Sequence, residues 1–327
     1  MRRTNWTEAE KSEARRMWDA GKTGPEIAAV IGRPASSVRR VMASGRNGQG
    51  GEVDAEVPKR ADKAPSGDVR EVMGRVRRDT ERILFIPDAH VPFEDGRAFD
   101  LMMRVARALR PETIVILGDF ADMWAVSAHD KSPTRRDNLE SEMKAVEQRL
   151  NEIDSLGAKR KIYCEGNHEE RLTRLITRQA PELFEYVQYA KIHRLDERGW
   201  TWVPYREHYK VGRVFVTHDL GEAGMYAAAR ARGTMGGNVV IGHVHRMGVH
   251  YASTAEGTGH VSASFGWLGA AEEAKYMPAA KRAAWQLGFG LGYMEPSGNV
   301  HLQAVPIVNY RCVVEGALFD ASEKVAA

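Results

Sequence analysis

The chain has 327 residues, 28% of them charged and 43% apolar, an ordinary balance for a soluble globular protein of more than one domain. No apolar run reaches the roughly 18 residues of a membrane-spanning helix, and the start, Met1-Arg2-Arg3-Thr4-Asn5-Trp6, lacks the apolar core of a signal peptide. The net charge of +3 is unevenly spread: residues 1–46 carry ten Lys or Arg against five Asp or Glu, and the remainder carries 37 against 39. Cys164 and Cys312, the two cysteines, both fall in apolar runs, which fits a reducing compartment, so a cytoplasmic location with no membrane partner is expected.

The basic segment, residues 1–46, reads as three helices. Thr7-Glu8-Ala9-Glu10 is a capping box that starts the first, which runs to about Asp19 with Ala14, Met17 and Trp18 on one face. Ala20 to Gly24 is a turn, and Pro25 opens a second helix with Ile27, Ala28 and Ile31 inward. Gly32-Arg33-Pro34 breaks it. A third helix covers Ala35 to Ala43, with Val38 and Val41 inward.

Residues 47–67, rich in Gly, Pro and charge, read as a flexible linker. Val69, Val72, Met73 and Val76 have helical spacing, so residues 68–79 are expected to form a helix on a second domain spanning 68–327. Strands are expected at Ile83 to Ile86, Thr113 to Leu117 and Lys161 to Cys164. Between them lie helices from Gly96 to Leu109 and from Asp137 to Ser155, with an irregular segment from Met123 to Thr134 that carries His129. Glu169-Glu170-Arg171-Leu172 begins a helix that continues to Gln179, and Pro181 to Ala190 and Gly221 to Arg232 read as helical. Further strands are expected at Thr201 to Val203, Val214 to Val216 and Asn238 to Ile241. Beyond Arg246 the pattern is of strands: Gly248 to Ser253, His260 to Ser264, Trp285 to Met294, His301 to Asn309 and Arg311 to Val314. Trp267, Trp285 and Phe289 read as core residues, and Asp320 to Ala327 as a frayed end.

Five short stretches carry the chemistry: Asp88-Ala89-His90, Gly118-Asp119-Phe120-Ala121-Asp122, Gly166-Asn167-His168-Glu169, Thr217-His218-Asp219 and Gly242-His243-Val244-His245. Each follows a predicted strand, and ligands of α/β sheets bind where strands end. Asp, Asn and His together suit borderline divalent metals: Mn first, with Fe, Zn, Ni or Co as alternatives. Seven such donors are too many for one ion with open positions and about right for two ions that share a carboxylate. The glycines before Asp119, Asn167 and His243 allow close backbone approach.

This series resembles the calcineurin-like metallophosphoesterases over about residues 82 to 250. The resemblance implies an α/β (α+β) fold, a four-layer α/β/β/α sandwich with two metal ions at one edge. It implies that Asp88, His90 and His245 hold the first ion, that Asn167, His218 and His243 hold the second, and that Asp119 bridges them. His168 is then the non-ligand catalytic histidine, and Asp122 its orienting partner. Three positions depart from the family pattern: Asp219 stands where Gly usually follows the histidine, Val244 where Thr is frequent, and Met123 where the protein-phosphatase branch has Arg. Arg171, near the start of a helix whose amides favour an anion, and Arg246, next to His245, are candidates for contacting the substrate phosphate; for Arg171 a surface ion pair is the alternative.

The first segment, especially Gly24-Pro25-Glu26-Ile27-Ala28-Ala29-Val30-Ile31-Gly32, resembles the helix-turn-helix domains of DNA-binding regulators. That implies a third helix in the major groove, with Ser36, Ser37, Arg39 and Arg40 as nucleic-acid contacts. Together these readings point to a two-metal phosphodiesterase or nuclease that acts on DNA through a water, held between the ions, whose pKa is lowered toward hydroxide. Two alternatives stay open at this point: a phosphomonoesterase or cyclic-nucleotide phosphodiesterase whose N-terminal domain docks a partner, and a DNA-binding regulator with a retired catalytic domain.

Overall fold

The computed structural model describes residues 6–44, 79–128, 138–255, 258–274 and 277–322. The chain divides into two compact units, Met1–Arg77 and Arg78–Ala327. The expected linker at 47–67, nearly all of the helix expected at 68–79, and His129 lie outside the described residues.

The first unit contains α1 (Glu8–Asp19), α2 (Gly24–Ile31) and α3 (Ala35–Ser44). Thr7 and Glu10 form the capping box, with Thr7 N donating to Glu10 Oε2 at 2.8 Å and Glu10 N to Thr7 Oγ1 at 3.2 Å. Gly32, at φ 71°, ends α2 in the left-handed conformation that glycine adopts without strain. Ala14, Ile27, Val38 and Met42 meet in a small core, with Trp6, Met17, Trp18, Ile31 and Val41 packed around it. Arg33 and Glu10 add an ion pair at 2.9 Å across the helices.

The second unit is built on two sheets. One runs β11-β10-β1-β2-β3-β4, with β1 (Glu81–Ile86), β2 (Thr113–Ile116), β3 (Arg160–Cys164) and β4 (Trp200–Val203) parallel and β10 (Gly288–Met294) and β11 (Val300–Pro306) antiparallel to their neighbours. The other runs β5-β6-β7-β9-β8, from β5 (Tyr209–Val211), β6 (Val214–Thr217), β7 (Val239–Ile241), β8 (Met247–Ser253) and β9 (Gly259–Phe265). Alternation along β1 decides the layers. Ile83 and Phe85 point between the sheets, where they meet Val216, Val240, Ala263 and Phe265, and the Phe85 and Phe265 rings lie 5.2 Å apart. Leu84 and Ile86 point outward, under α4 (Gly96–Leu109) and α5 (Leu139–Asp154).

Asp95 caps α4, its carboxylate accepting from Arg97 N and Ala98 N at 3.1 Å. The α4 stripe Phe99, Met102, Val105 and Leu109 is buried as its spacing predicts. Each such side chain contributes about 1.5–3 kcal/mol by leaving water, so Phe99→Ala would remove about 3–5 kcal/mol once the cavity is counted. On the far face of the second sheet, Ala227, Ala228 and Ala231 of α8 (Ala227–Met235) cover Val239 and Ile241. The result is the expected four-layer α/β/β/α sandwich. No helix among the described residues is long and apolar enough to cross a membrane.

Several boundaries differ from the expectations. α6 (Glu170–Gln179) starts one residue after the expected Glu169 and ends at the expected Gln179. Residues 181–190 form one 3₁₀ turn (Pro181–Leu183) and the start of a short α7 (Tyr189–Ile192) rather than a helix. α8 begins only at Ala227, after a bend containing Gly221 and Gly224, both at positive φ. β5 was not anticipated; three residues are too short for a legible alternation. The stretch from Glu272 to Trp285, which the sequence leaves as a loop or a helix broken at Pro278, carries a one-turn α9 (Ala279–Arg282). Asp320 is not frayed: β12 (Arg311–Val314) pairs with β13 (Ala317–Asp320), and Arg311 Nε donates to Asp320 Oδ2 at 2.5 Å. Residues 323–327 lie outside the described residues.

Candidate metal centre

The stretches that follow β1, β2, β3, β6 and β7 converge at one edge of the sandwich. β1, β2 and β3 run parallel, as do β6 and β7, so within each sheet the carboxyl ends lie side by side. The two sheets are tied there by His218 Nδ1, which donates to Leu117 O at 2.7 Å. Space for the donors comes from glycine. A Cβ on Gly118 would stand 2.5 Å from His218 Nδ1, one on Gly166 2.1 Å from Asp119 N, and one on Gly242 2.6 Å from Leu117 O. Any side chain at these three positions would displace a candidate ligand or its support.

Four of the seven candidate ligands have left-handed backbone: His90 at φ 55°, Asp119 at 46°, His243 at 67° and His245 at 53°. For a residue with a Cβ this costs about 1–2 kcal/mol, and such strain collects where the surrounding structure enforces a functional geometry. The candidate ligands form two groups, each with ligand atoms within 4.8 Å of one another: Asp88, His90, Asp119 and His245, and Asp119, His218 and His243; a third cluster of the same closeness joins His90 to Asp122 and His168, which are not among the candidate ligands. Asp119 belongs to both ligand groups. Asn167 joins the second group, its Oδ1 lying 3.1 Å from His218 Nε2 and 2.9 Å from His243 Nδ1.

The donors fit divalent ions on their own terms. Asp88 is fully buried, and its Oδ2 has no hydrogen-bond partner among the described residues. His90 Nε2 and His245 Nε2 face each other at 3.2 Å, with Asp88 Oδ1 3.4 Å from His245 Nε2. Buried carboxylate and imidazole groups gathered this closely are costly unless a cation satisfies them.

The family model for calcineurin-like phosphoesterases matches residues 81–247, half of the chain and all seven candidate ligands. The chain belongs to the calcineurin-like phosphoesterase family. It is a metal-dependent phosphoesterase. Among curated proteins, this phosphoesterase is 30% identical over 264 residues to the Gene 54 protein of Mycobacterium phage D29, and 26% identical over 262 residues to the Gene 54 protein of Mycobacterium phage L5; each match covers 74% of this chain and 99% of the phage protein. Among solved structures, it is similar to Vacuolar Protein Sorting 29 from Cryptosporidium parvum, at 12% identity and TM-score 0.39 over 73% of this chain and 94% of that one. It is also similar to Yfce, a phosphoesterase from E. coli, at 15% identity and TM-score 0.32 over 68% of this chain and 98% of that one.

Around the phosphoesterase's ligand groups stand residues whose roles differ from the sequence expectation. Asp122 meets His168 mainly through its backbone: its carbonyl accepts from His168 Nδ1 at 2.8 Å, while the carboxylate lies 3.4 Å away. That carboxylate is closer to His90, with Oδ2 3.1 Å from Nδ1. Arg171 is an internal brace in this arrangement. Its Nη1 donates to Asp122 O and its Nη2 to His168 Nε2, both at 2.8 Å. A guanidinium only donates, so His168 here carries its proton on Nδ1. Arg246 is half-buried and has no guanidinium partner among the described residues. Asp219 is outside both ligand groups; it accepts from Tyr205 Oη at 3.1 Å and Gly221 N at 2.7 Å, which straps the loop after β4 to the loop after β6.

Burial pulls the His168 pKa down, but the Asp119 and Asp122 carboxylates outweigh it and leave it raised. For His90, burial and the neighbouring His168 leave the pKa lowered. For Asp122, burial pushes the carboxyl up, but the hydrogen bonds from His168 and His90 outweigh it and hold the carboxyl well below the usual range.

Sequence reasoning quoted Glu169 within its motif and gave it no role. It is fully buried and accepts five hydrogen bonds: from Phe120 N (2.8 Å), Ala121 N (2.9 Å), Tyr163 Oη (2.9 Å), Gly166 N (2.9 Å) and Asp119 N (3.1 Å). One carboxylate thus fixes the loops of Asp119 and Asn167 against each other. Its place beside Asn167-His168 was the available signal; three of its five donors, Asp119, Phe120 and Ala121, are about 50 residues away.

Proposed function

We propose that this phosphoesterase hydrolyses phosphodiesters with two divalent ions, Mn foremost, and that DNA is its substrate. The observation that supports two ions is the membership of Asp119 in both donor groups. Asp88, His90 and His245 would complete the first site, and Asn167, His218 and His243 the second. When bound, such ions polarise phosphoryl oxygens and lower the pKa of a water between them. The chain supplies the rest. Once Arg171 moves off Nε2, His168 would take a second proton there from solvent and, as imidazolium, give it to the leaving oxygen, while the Asp122 carbonyl keeps the ring oriented through Nδ1. Arg246, whose guanidinium has no partner among the described residues, is the better candidate for gripping the phosphate.

The DNA reading draws on the N-terminal unit, whose sequence is basic and whose three helices carry Ser36, Ser37, Arg39 and Arg40 on α3. One observation favours the second reading, a docking module on a phosphomonoesterase or cyclic-nucleotide phosphodiesterase. Ser37 Oγ already accepts from Trp6 Nε1 at 2.9 Å and so serves the unit's own packing. A substrate panel separates the two: plasmid and oligonucleotide DNA, cyclic nucleotides, bis-p-nitrophenyl phosphate and p-nitrophenyl phosphate, each with Mn, Ni, Zn and Mg. Cleavage of DNA and the diester at rates well above the monoester supports the first reading. Turnover of the monoester or of cyclic nucleotides without DNA cleavage replaces it with the second.

A further inference from the structure

Two tryptophans beyond the family match enclose His245. Trp267 lies nearly flat on the imidazole, with ring centroids 4.9 Å apart and planes at 16°. Trp285 meets the same ring edge to face at 4.4 Å and 80°, and the two indoles touch each other at 4.7 Å. Trp267 is buried and Trp285 half-buried. The segments that carry them are stitched to the site by backbone hydrogen bonds. Gln286 N donates to His245 O at 3.0 Å, Trp267 N to Gln286 O at 3.1 Å, and Leu268 N to Asp88 O at 3.0 Å. Gly269 makes room for the flat indole, since a Cβ there would come within 2.4 Å of the Trp267 ring.

The imidazoles of the site are oriented in different ways. The outer torsion of a histidine side chain has a broad, roughly two-fold profile, so something must choose which nitrogen faces the ion. For His90 the choice is made by Asp122 at Nδ1, and for His218 by Leu117 O at Nδ1. His245 has no such anchor: its Nδ1 is buried without a hydrogen-bond partner among the described residues. Yet its Nε2 points at Asp88 and His90.

We infer that Trp267 and Trp285 are positioning residues that hold His245 with Nε2 toward the first ion, by ring packing in place of a hydrogen bond. The inference rests on the reading of His245 as a ligand. Flat contact on one side and edge contact on another block rotation of the ring and keep water from Nδ1. With Nε2 free to ligate, the proton sits on Nδ1, which has no acceptor among the described residues.

The test is Mn titration by calorimetry into the full, metal-stripped chain, with bound ions counted by elemental analysis. The variants are Trp267→Leu, Trp285→Leu, Trp267→Phe and His245→Ala, and melting in chelator checks that each is folded. Both leucine variants are expected to lose about 10- to 100-fold in affinity at one of the two ions, the loss usual when a ligand's support is removed. Trp267→Phe, which keeps a flat ring, is expected to recover most of it; a role in stability alone would shift the melting temperature without separating Leu from Phe in affinity. Should Trp267→Leu not fold, the half-buried Trp285→Leu carries the comparison. If His245→Ala loses an ion and the folded leucine variants bind like wild type, the positioning role is wrong and the ligand reading stands. If His245→Ala binds both ions with wild-type affinity, the ligand reading falls and this inference with it.

Discussion

The carboxylate of Asp122 lies 3.1 Å from Nδ1 of His90, closer than its 3.4 Å approach to His168. A carboxylate at that nitrogen fixes the ring and makes its other nitrogen a better donor. Asp122→Asn is therefore expected to weaken metal binding about 10- to 100-fold, with activity recovering at high Mn, because the backbone carbonyl that holds His168 survives the substitution. Mn dependence of the rate is the measurement. Lost activity that no Mn concentration restores, with normal metal content, would place the carboxylate's work at His168 instead.

Asp119 is the side chain that the two groups of candidate ligands share. Asp119→Asn should lower the metal content of both sites and abolish hydrolysis of a chromogenic diester. Exhaustive chelation of the wild type should do the same, with Mn restoring the rate. Elemental analysis alongside the assay decides it: full activity in a metal-free preparation contradicts the two-ion reading.

His168→Ala should distinguish leaving groups. General-acid help is worth about 10²–10⁴-fold and matters most for a basic alkoxide. The variant is expected to lose that much on DNA or an alkyl diester and less on bis-p-nitrophenyl phosphate, whose nitrophenolate leaves unprotonated. Equal losses on both substrates would argue that His168 stabilises the phosphoryl oxygens rather than protonating the leaving group.

Removing residues 1–67 should leave hydrolysis of the small diester intact, since every candidate ligand lies at or beyond Asp88. Binding to duplex DNA should weaken and its salt dependence flatten, because fewer phosphate contacts release fewer counterions. Binding measured across a salt series is the check; an unchanged affinity and slope would favour the docking reading of the N-terminal unit.

His193 gives a pH signature away from the metal centre. Burial lowers its pKa from 6.5 to about 4, and its Nε2 faces Met143 Sδ at 3.1 Å. Above pH 6.5 the neutral ring's contribution is fully present. As pH falls from there toward 4, the unfolded chain takes up a proton that the folded one refuses, and stability drops by up to about 3 kcal/mol. His193→Leu should flatten unfolding free energy against pH within that window, by at most about 1.4 kcal/mol per pH unit. Parallel wild-type and variant curves would rule this out.

The sequence by itself determined which donors exist and in what order, because a short β-branched run followed by Gly, Asp, Asn or His signals a buried strand and its carboxyl end within a few residues. It also determined the inward faces of α1 and α4, since a period of 3.6 is a local property. Only the tertiary structure decided which of the Asp122 oxygens serves which histidine, that Glu169 ties Asp119 to Asn167, that Arg171 is turned inward, and that Trp267 and Trp285 close on His245. Those contacts join residues from about 30 to 50 positions apart in the first cases, and residues of separate loops or elements in all of them. They depend on strand order, on loop backbone held at positive φ, and on how rings pack at the sandwich edge. No local period or spacing encodes these, because each is the outcome of all the elements packing at once.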